Sequence, residues 1–478
     1  MKAPFSHWLN DITPALRELI ARLGAYYDEV SVLSTDSVGF RLSISQRNKS
    51  VSNSNLTTEK GSVVRVWKAG RCSEYAFNEF DPAGTEALVE AIREELDRQI
   101  ALLDRVGAPV YETAPPKDEP LTLFVEKETV EMPERADMAA LAERFSALSD
   151  EGMRTIPGAL DCVLNASSTH ISKLFLTKNR FLRQSYVITE GTVAAYAPTA
   201  EGETKTVYEG VSGLGGPEIL DGLRAKLEDA PKIMRELLDS RHIVPGEYEI
   251  ITDPGISGLI AHEAFGHGVE MDMFVKGRAL GAEYLGKRVG SEYVTMHEGA
   301  LCGETVTAFA FDDEGTLAGD VTEIERGILK TGVCDALSAL RLGIAPTGNG
   351  KRENYAHKAY ARMTNTVFDS GTDSLEDMIA SVKRGYLLRG TESGMEDPKH
   401  WGIQCIIQRG YEILDGKLTG KVVSPIVMTG YVPELLGSIS MASADRLLDG
   451  NGACGKGYKE WVKVADGGPY LKMKARLG

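Results

Sequence analysis

Two histidines and a glutamate lie close together in the run Ala261-His262-Glu263-Ala264-Phe265-Gly266-His267-Gly268-Val269-Glu270. Paired imidazoles beside a carboxylate are the residue types of a hydrolytic metal centre, where the rings ligate an ion and the carboxylate moves a proton. Zinc hydrolases often set the two histidines at i and i+4, about 40° apart around a helix, so that both rings reach one ion. Here the spacing is i and i+5. On a regular helix of about 100° per residue this puts the rings about 140° apart, too far round to chelate one metal. They can share an ion only if the helix is distorted or ends between them. Gly266, directly before His267, permits this, and a π-type turn would suffice. On an undistorted helix Glu263, His267 and Glu270 would instead share a face, with Glu270 an alternative ligand or a partner that orients a histidine. Spacing alone leaves open both a metal site and a plain row of polar residues on a helix edge.

A catalytic zinc needs a third protein ligand and an open position. Cys454 offers one, in the glycine-rich run Gly450-Asn451-Gly452-Ala453-Cys454-Gly455-Lys456-Gly457, where backbone can approach a ligand and Lys456 would favour the thiolate. Glu270, Asp272, His297 and His357 are the other candidates, and an isolated cysteine is more often simple packing. His297-Glu298 repeats the His-Glu pair without a second histidine and reads as a surface pair. Other motifs fail on inspection. Thr347-Gly348-Asn349-Gly350-Lys351-Arg352 lacks the glycine at 345 and the hydroxyl at 352 that a phosphate loop requires. Gly255-Ile256-Ser257-Gly258-Leu259 lacks the last glycine of a serine-hydrolase elbow.

The elements that must position these residues are legible in outline. Asp253-Pro254-Gly255 follows the strand at Tyr248–Ile251 and predicts a short helix from about Ile256 that carries the motif. Upstream, Thr13 as N-cap and Pro14 as first residue predict a helix with Leu16, Leu19, Ile20 and Leu23 on one face. A second helix follows Pro82, with Leu88, Ile92, Leu96 and Ile100 recurring at helical spacing. Alternating stretches such as Val63–Trp67 lie between them. Ala108 to Pro120 reads as an exposed connector. The order helix, strands, helix then returns, with helices near Met138–Leu148 and after Gly216-Pro217, and this order predicts a loosely duplicated α+β domain over residues 1–240. From 241 to 478 short extended runs dominate, among them Thr305–Phe311, Gly402–Ile407 and Lys421–Val427, with a helix near Leu375–Leu387. That half is expected to be a mainly antiparallel β domain carrying the motif helix.

Composition narrows the function classes. The 478 residues carry 53 Lys+Arg against 69 Asp+Glu, a net charge of −16, which excludes a protein that tracks nucleic-acid phosphates. No apolar run is long enough to span a membrane, and the N-terminus does not read as a signal peptide. The six scattered cysteines, without a CxxC pair, fit a reducing cytoplasm.

Six ordered matches add a family resemblance. The motif string, the preceding Pro245-Gly246-Glu247-Tyr248, Asp313-Glu314-Gly315-Thr316, Thr347-Gly348-Asn349-Gly350, Arg362-Met363-Thr364-Asn365-Thr366 and Cys454-Gly455-Lys456 together resemble the TldD/PmbA family of peptidases, most closely from about Val244 to Lys456. The resemblance implies a cytoplasmic metallopeptidase in which His262, His267 and Cys454 hold one zinc ion per chain and Glu263 is the general base. The intact HExxxH motif resembles the active, TldD-like branch. The other branch has lost the motif and serves as a partner subunit. Unfolded or extended peptides are the implied substrates, taken up by a homodimer or by a heterodimer with a PmbA-like subunit. Such a peptide can add as a strand to a sheet edge through main-chain bonds. Residues 273–303 and 458–478 depart from the family pattern. Two further readings stand beside hydrolysis on zinc: a non-catalytic peptide-binding or partner subunit, and Cys454 as a nucleophile with His262 or His267 as its base.

Overall fold

The computed structural model describes residues 1–52, 59–106, 113–457 and 460–478, so part of the predicted connector (108–112) and the first residues of the divergent tail (458–459) lie outside the described residues. The first sheet is built from α1 (His7–Leu23), β1 (Glu29–Ile44), β2 (Lys49–Ser52), β3 (Glu59–Lys68), β4 (Arg71–Phe77), α2 (Thr85–Val106), β5 (Leu121–Glu126), α3 (Met138–Thr155), β6 (Asp161–Leu176), β7 (Arg180–Pro198), β8 (Thr204–Leu214) and α4 (Leu223–Leu238). Strands run in the order β4-β3-β1-β6-β7-β8, all antiparallel, with β2 added to β1 and β5 added in parallel to β7. The seam is the pairing of β1 with β6, from Val32 opposite Leu176 to Ile44 opposite Leu164. Helices α1 and α2 bury Leu9, Leu16, Leu19, Ile92 and Leu96 on one half. Helices α3 and α4 bury Phe145, Leu223, Leu227 and Met234 on the other. The order helix, strands, helix thus occurs once on each side of the seam.

Helix α1 corrects one expectation. Its N-cap is Ser6, whose side chain accepts from Leu9 N, and Pro14 lies inside the helix. The missing Pro14 N–H is outweighed by burial upstream of it, where Leu9 and Ile12 extend the apolar stripe into the core.

The second sheet has eleven strands. Five of them pair in a closed cycle: β9 (Gly246–Thr252), Arg384–Asp397, Gly402–Leu414, Ile426–Tyr431 and Glu460–Leu477, which returns to β9. Closure removes the edges an open sheet would expose. Alternate residues of all five strands share one apolar cluster: Tyr248 and Ile250, Tyr386 and Leu388, Ile403, Cys405 and Ile407, Ile426 and Met428, Leu471 and Met473. Helix α5 (Pro254–Ala261) contributes Ile256 and Ile260 to the same cluster. The sheet is mainly antiparallel, yet β9 pairs in parallel with Arg384–Asp397, and Asn365–Phe368 pairs in parallel with Glu460–Leu477.

Two local expectations are overturned here. The helix near Leu375 ends at Ala380, and Tyr386-Leu387-Leu388 form strand. Strands buried on both faces show a continuous apolar run, which periodicity does not separate from helix. Thr305–Phe311 joins neither sheet, and pairs only through an isolated bridge from Phe311 to Leu317 among the described residues. Its threonines turn to Asn365, whose Oδ1 accepts from Thr305 at 2.5 Å and Thr307 at 2.9 Å. Largely buried ion pairs tie the first sheet to the second half of the chain, with Arg65 to Glu314 at 2.5 Å, Glu74 to Arg352 at 2.5 Å, and Lys173 to Asp313. No helix among the described residues is long and apolar enough to cross a membrane.

Candidate metal centre

Helix α5 begins two residues earlier than its sequence signal, with Asp253 as N-cap accepting from Ile256 N at 2.9 Å and Pro254 as first residue. It lies hard against the sheet. A Cβ on Gly258 would run into Gly467 N and come within 2.5 Å of Asp466 Oδ1. The helix then widens into a π turn over His262–Gly266, closed by a hydrogen bond from His267 N to His262 O. That i to i+5 bond places the two histidines one turn apart, which a regular helix does not do at this spacing. Gly266 is needed here for closeness, because a Cβ would overlap Met363 Sδ.

The turn brings both rings to Cys454, which arrives from the strand Met441–Lys456. One ligand atom each from His262, His267 and Cys454 falls within 4.8 Å of the others, and Cys454 Sγ is 3.3 Å from His267 Nε2. The rings stand nearly perpendicular, with centroids 5.1 Å apart. His262 and Cys454 are buried, while the His267 side chain keeps 20% of its surface exposed, so the cluster opens on the His267 side. Burial alone would push the Cys454 thiol up, but hydrogen bonds to His262 and His267, and their charge, bring it down to about 4. Burial would lower both imidazoles, but the thiolate raises them, and His267 is lifted further by Glu270. His262 Nδ1 is buried without a hydrogen-bond partner. A thiolate, two imidazoles and an unpartnered ring nitrogen are a donor set that fits zinc.

Behind His267 stands a carboxylate, as metal-ligating histidines usually require. Glu270 Oε2 lies 3.2 Å from His267 Nδ1 and 3.1 Å from Lys456 Nζ. Burial opposes its charge, yet Lys456, His267 and Arg362 hold its carboxyl down at about 2. Lys456 therefore serves Glu270 and Asp272, at 2.7 Å from the latter, and is not what favours the Cys454 thiolate. Arg362, almost fully buried, donates to Cys454 O at 2.6 Å and ties the cysteine strand to the Glu270 side. Its run was visible in the sequence, but nothing in one sequence shows where its guanidinium points.

Of the other candidate ligands, Glu270 and Asp272 are engaged by Lys456. His297 sits between Asp320 (2.7 Å) and Asp369 (3.4 Å), and His357 between Glu353 and Glu460. His297-Glu298 is not a surface pair. Glu298 is fully buried and accepts from Thr364 N at 2.6 Å and from the Thr364 and Thr366 hydroxyls.

Glu263 is buried beside the histidines. Burial raises its carboxyl above the usual range, with His262 and His267 opposing. Its side chain lies on the strand Arg384–Asp397 at Gly394, where a Cβ would stand 2.6 Å from Glu263 Cγ and 2.7 Å from Oε1. Gly394 had no sequence signal of its own.

With this geometry described, relatives give it a class. Residues 245–475 match the PmbA/TldA metallopeptidase C-terminal domain, so at family level the class is metallopeptidase. The chain is 33% identical over 270 residues to metalloprotease MJ0996 of Methanocaldococcus jannaschii, covering 56% of this chain and 59% of that one. It is 32% identical over 230 residues to a zinc metalloprotease TldD homolog of Saccharolobus solfataricus, covering 48% and 51%. The matched region thus spans between a half and three fifths of these relatives' lengths. The crystal structure of TldE from Thermococcus kodakarensis shares the fold at a TM-score of 0.72 and 19% identity, over 97% of this chain and 100% of that one. Over residues 245–475 the chain matches the TldD/PmbA family.

Proposed function

We propose that the chain is a zinc-dependent peptidase that hydrolyses amide bonds of unfolded or extended peptides, with one zinc ion held by His262, His267 and Cys454 and with Glu263 as general base. The observation that carries this reading is the convergence of those three ligand atoms within 4.8 Å, across a π turn and a strand far along the chain. When bound there, zinc supplies Lewis acidity toward the scissile carbonyl and toward water.

The chain's own residues do the rest. Glu263, buried and raised in pKa, takes a proton from the attacking water and passes it to the leaving amine nitrogen. Glu270 fixes the ring of His267 through Nδ1 and leaves Nε2 for the cluster. Phe265 and Ala264, in the apolar cluster, hold the turn from within. A cytoplasmic location and a dimer, with a second copy or with a PmbA-like subunit, belong to the same proposal and rest on the family resemblance.

The test uses the full-length chain loaded with zinc and a quenched-fluorescence peptide without stable structure. Glu263→Gln should keep its zinc and lose turnover by about 10²-fold to 10⁴-fold; undiminished hydrolysis would remove Glu263 from the mechanism. A second reading draws on the Cys454–His267 distance of 3.3 Å, because a thiolate beside an imidazole is also a nucleophile pair. Hydrolysis that survives complete removal of metal would favour it.

A further inference from the structure

Between the first sheet and the second half of the chain lies a cavity of about 320 Å³, within the size range of small-ligand sites. Its floor is the face of β1, β6 and β7 turned away from the helices. Alternation along these strands decides what lies there. Phe40, Leu42, Leu164 and Ala166 pack under α3 and α4, so the residues between them face the cavity. Two neighbouring cross-strand rows form the middle of the floor: Gly39 opposite Thr169 opposite Ile188, and Ser37 opposite Ile171 opposite Tyr186. Phe309 comes down on Tyr186 from the second half of the chain, with Ile171 and Ile188 against the same cluster. Both isoleucines nevertheless stay only half-buried. A sheet face that meets another layer normally closes into a packed core, whereas here a glycine and two hydroxyls keep a space open over apolar side chains.

The charged groups around that space are matched. Lys173 pairs with Asp313 at one end of the floor, and Glu190 with Lys463 at the other. Arg352 is held by Glu74, and Lys351 donates to Met363 O and Lys463 O. Arg41 stands exposed in the outer row, opposite Ser167. The middle of the floor carries no charge. A charged ligand group placed there would lose its hydration without a partner, while an apolar one would gain by covering Ile171 and Ile188.

The cavity adjoins the metal cluster. Val462 lies in its wall, pairs opposite Cys454 in the ladder, and shares a small buried cluster with Cys454 and Met363. Ala453, the residue before Cys454, lines the cavity as well. Cavity and cluster are thus one side chain apart, a separation that about two or three residues of an extended peptide cover.

We propose that this cavity is a specificity pocket that receives an uncharged apolar side chain of the peptide substrate, leucine-sized or larger, from a residue close to the scissile bond. Thr169, whose hydroxyl has no hydrogen-bond partner among the described residues, faces the pocket and is free to bond the main chain of that residue. The nature of the occupant rests on the peptidase reading.

Binding rather than turnover tests it. Fluorescence anisotropy on the zinc-loaded Glu263→Gln chain would compare labelled peptides, acetylated and amidated, of one glycine-serine sequence with a single guest residue: leucine, serine, lysine or glutamate. The leucine peptide should bind about tenfold tighter than the serine peptide, and the two charged peptides no tighter than the serine one. Thr169→Phe puts a ring into the cavity and should abolish the leucine preference while the serine peptide keeps its affinity. Ile188→Ser removes apolar wall without filling the space and should reduce the preference; circular dichroism and thermal unfolding check that each variant folds. Equal binding of the leucine and serine peptides overturns the proposal, and so does a preference that survives in both variants. A glutamate peptide that binds tightest overturns it too, because Arg41 would then be the recognising group. Should the unmodified zinc-loaded chain cleave none of these peptides while the leucine preference holds and responds to Thr169→Phe, the peptidase reading falls and the pocket stands. Cleavage without any preference leaves the peptidase reading and removes the pocket.

Discussion

Gly394→Ala perturbs Glu263 without altering it or any candidate zinc ligand. The added Cβ would stand 2.6 Å from Glu263 Cγ and 2.7 Å from Oε1, where carbon contacts settle near about 3.5 Å, so something must move by roughly 0.9 Å. The strand will not move easily, because Gly394 is paired opposite Cys405 within a closed cycle of strands. The glutamate side chain will, by rotating away. A misplacement of about 1 Å at a reacting group costs on the order of 10²-fold in rate. Little stability is lost, since the clash falls on a flexible side chain and alanine restricts the unfolded chain by about 0.4–1 kcal/mol relative to glycine. The expected outcome is a kcat lower by about 10²-fold with zinc content and Tm unchanged, read by peptide hydrolysis, elemental mass spectrometry and thermal unfolding. A kcat within about threefold of the unmodified chain, with zinc intact, would refute the placement of Glu263 as base. Zinc lost in parallel with activity would refute the separation of base from ligands.

Cys454 should react as a thiolate in the metal-free protein. Its pKa falls on folding from 9.0 to about 4, so the stability gained from the ionised thiol is complete above pH 9 and is lost as pH falls through about 4. Alkylation should therefore be nearly flat from about pH 5 to about pH 8 and blocked by zinc, whereas a tenfold rise per pH unit would refute the low pKa. Glu270→Gln takes the charged acceptor from His267 Nδ1 and from Lys456, and chelator competition should show zinc held about 10-fold to 100-fold less tightly; an unchanged affinity would refute its role behind the ring. Gly258→Ala drives a Cβ into the backbone at Gly467, which cannot rotate away, and should cost about 1–3 kcal/mol in thermal unfolding; an unchanged Tm would refute the close packing of α5 on the sheet.

What could be read from the sequence follows the range of each interaction. The i to i+5 spacing of His262 and His267 states its own requirement, a widened turn, because chemistry that needs both rings on one ion admits few backbones; the turn is present. Strand alternation showed extended segments such as Gly402–Ile407, but not that Glu460–Leu477 returns to β9 and closes the cycle, since that pairing joins residues more than 200 apart. Charged partners were the least legible. Lys456 is two residues from Cys454, and sequence proximity suggested a pair, yet its long side chain reaches Glu270 and Asp272 instead. Glu298 looked exposed beside a histidine and is fully buried, because the hydroxyls that satisfy it, on Thr364 and Thr366, are brought by a neighbouring strand.

The extra residue in the motif also explains why the cluster needs a barrel around it. An isolated π turn is unfavourable, so its persistence must be maintained by packing. Here the turn turns Ala264 and Phe265 into the same apolar cluster that alternate residues of the five strands fill, and Phe265 meets Trp401 there. Cys454 is fixed independently, by the ladder to Val462 and by Arg362 on its carbonyl. The positions of all three candidate ligands are therefore set by hydrophobic burial and strand pairing, unlike small zinc domains whose fold is supplied by the metal. Such a site spends little of its binding free energy on ordering the chain. It also leaves the His267 side chain, alone of the three, partly exposed.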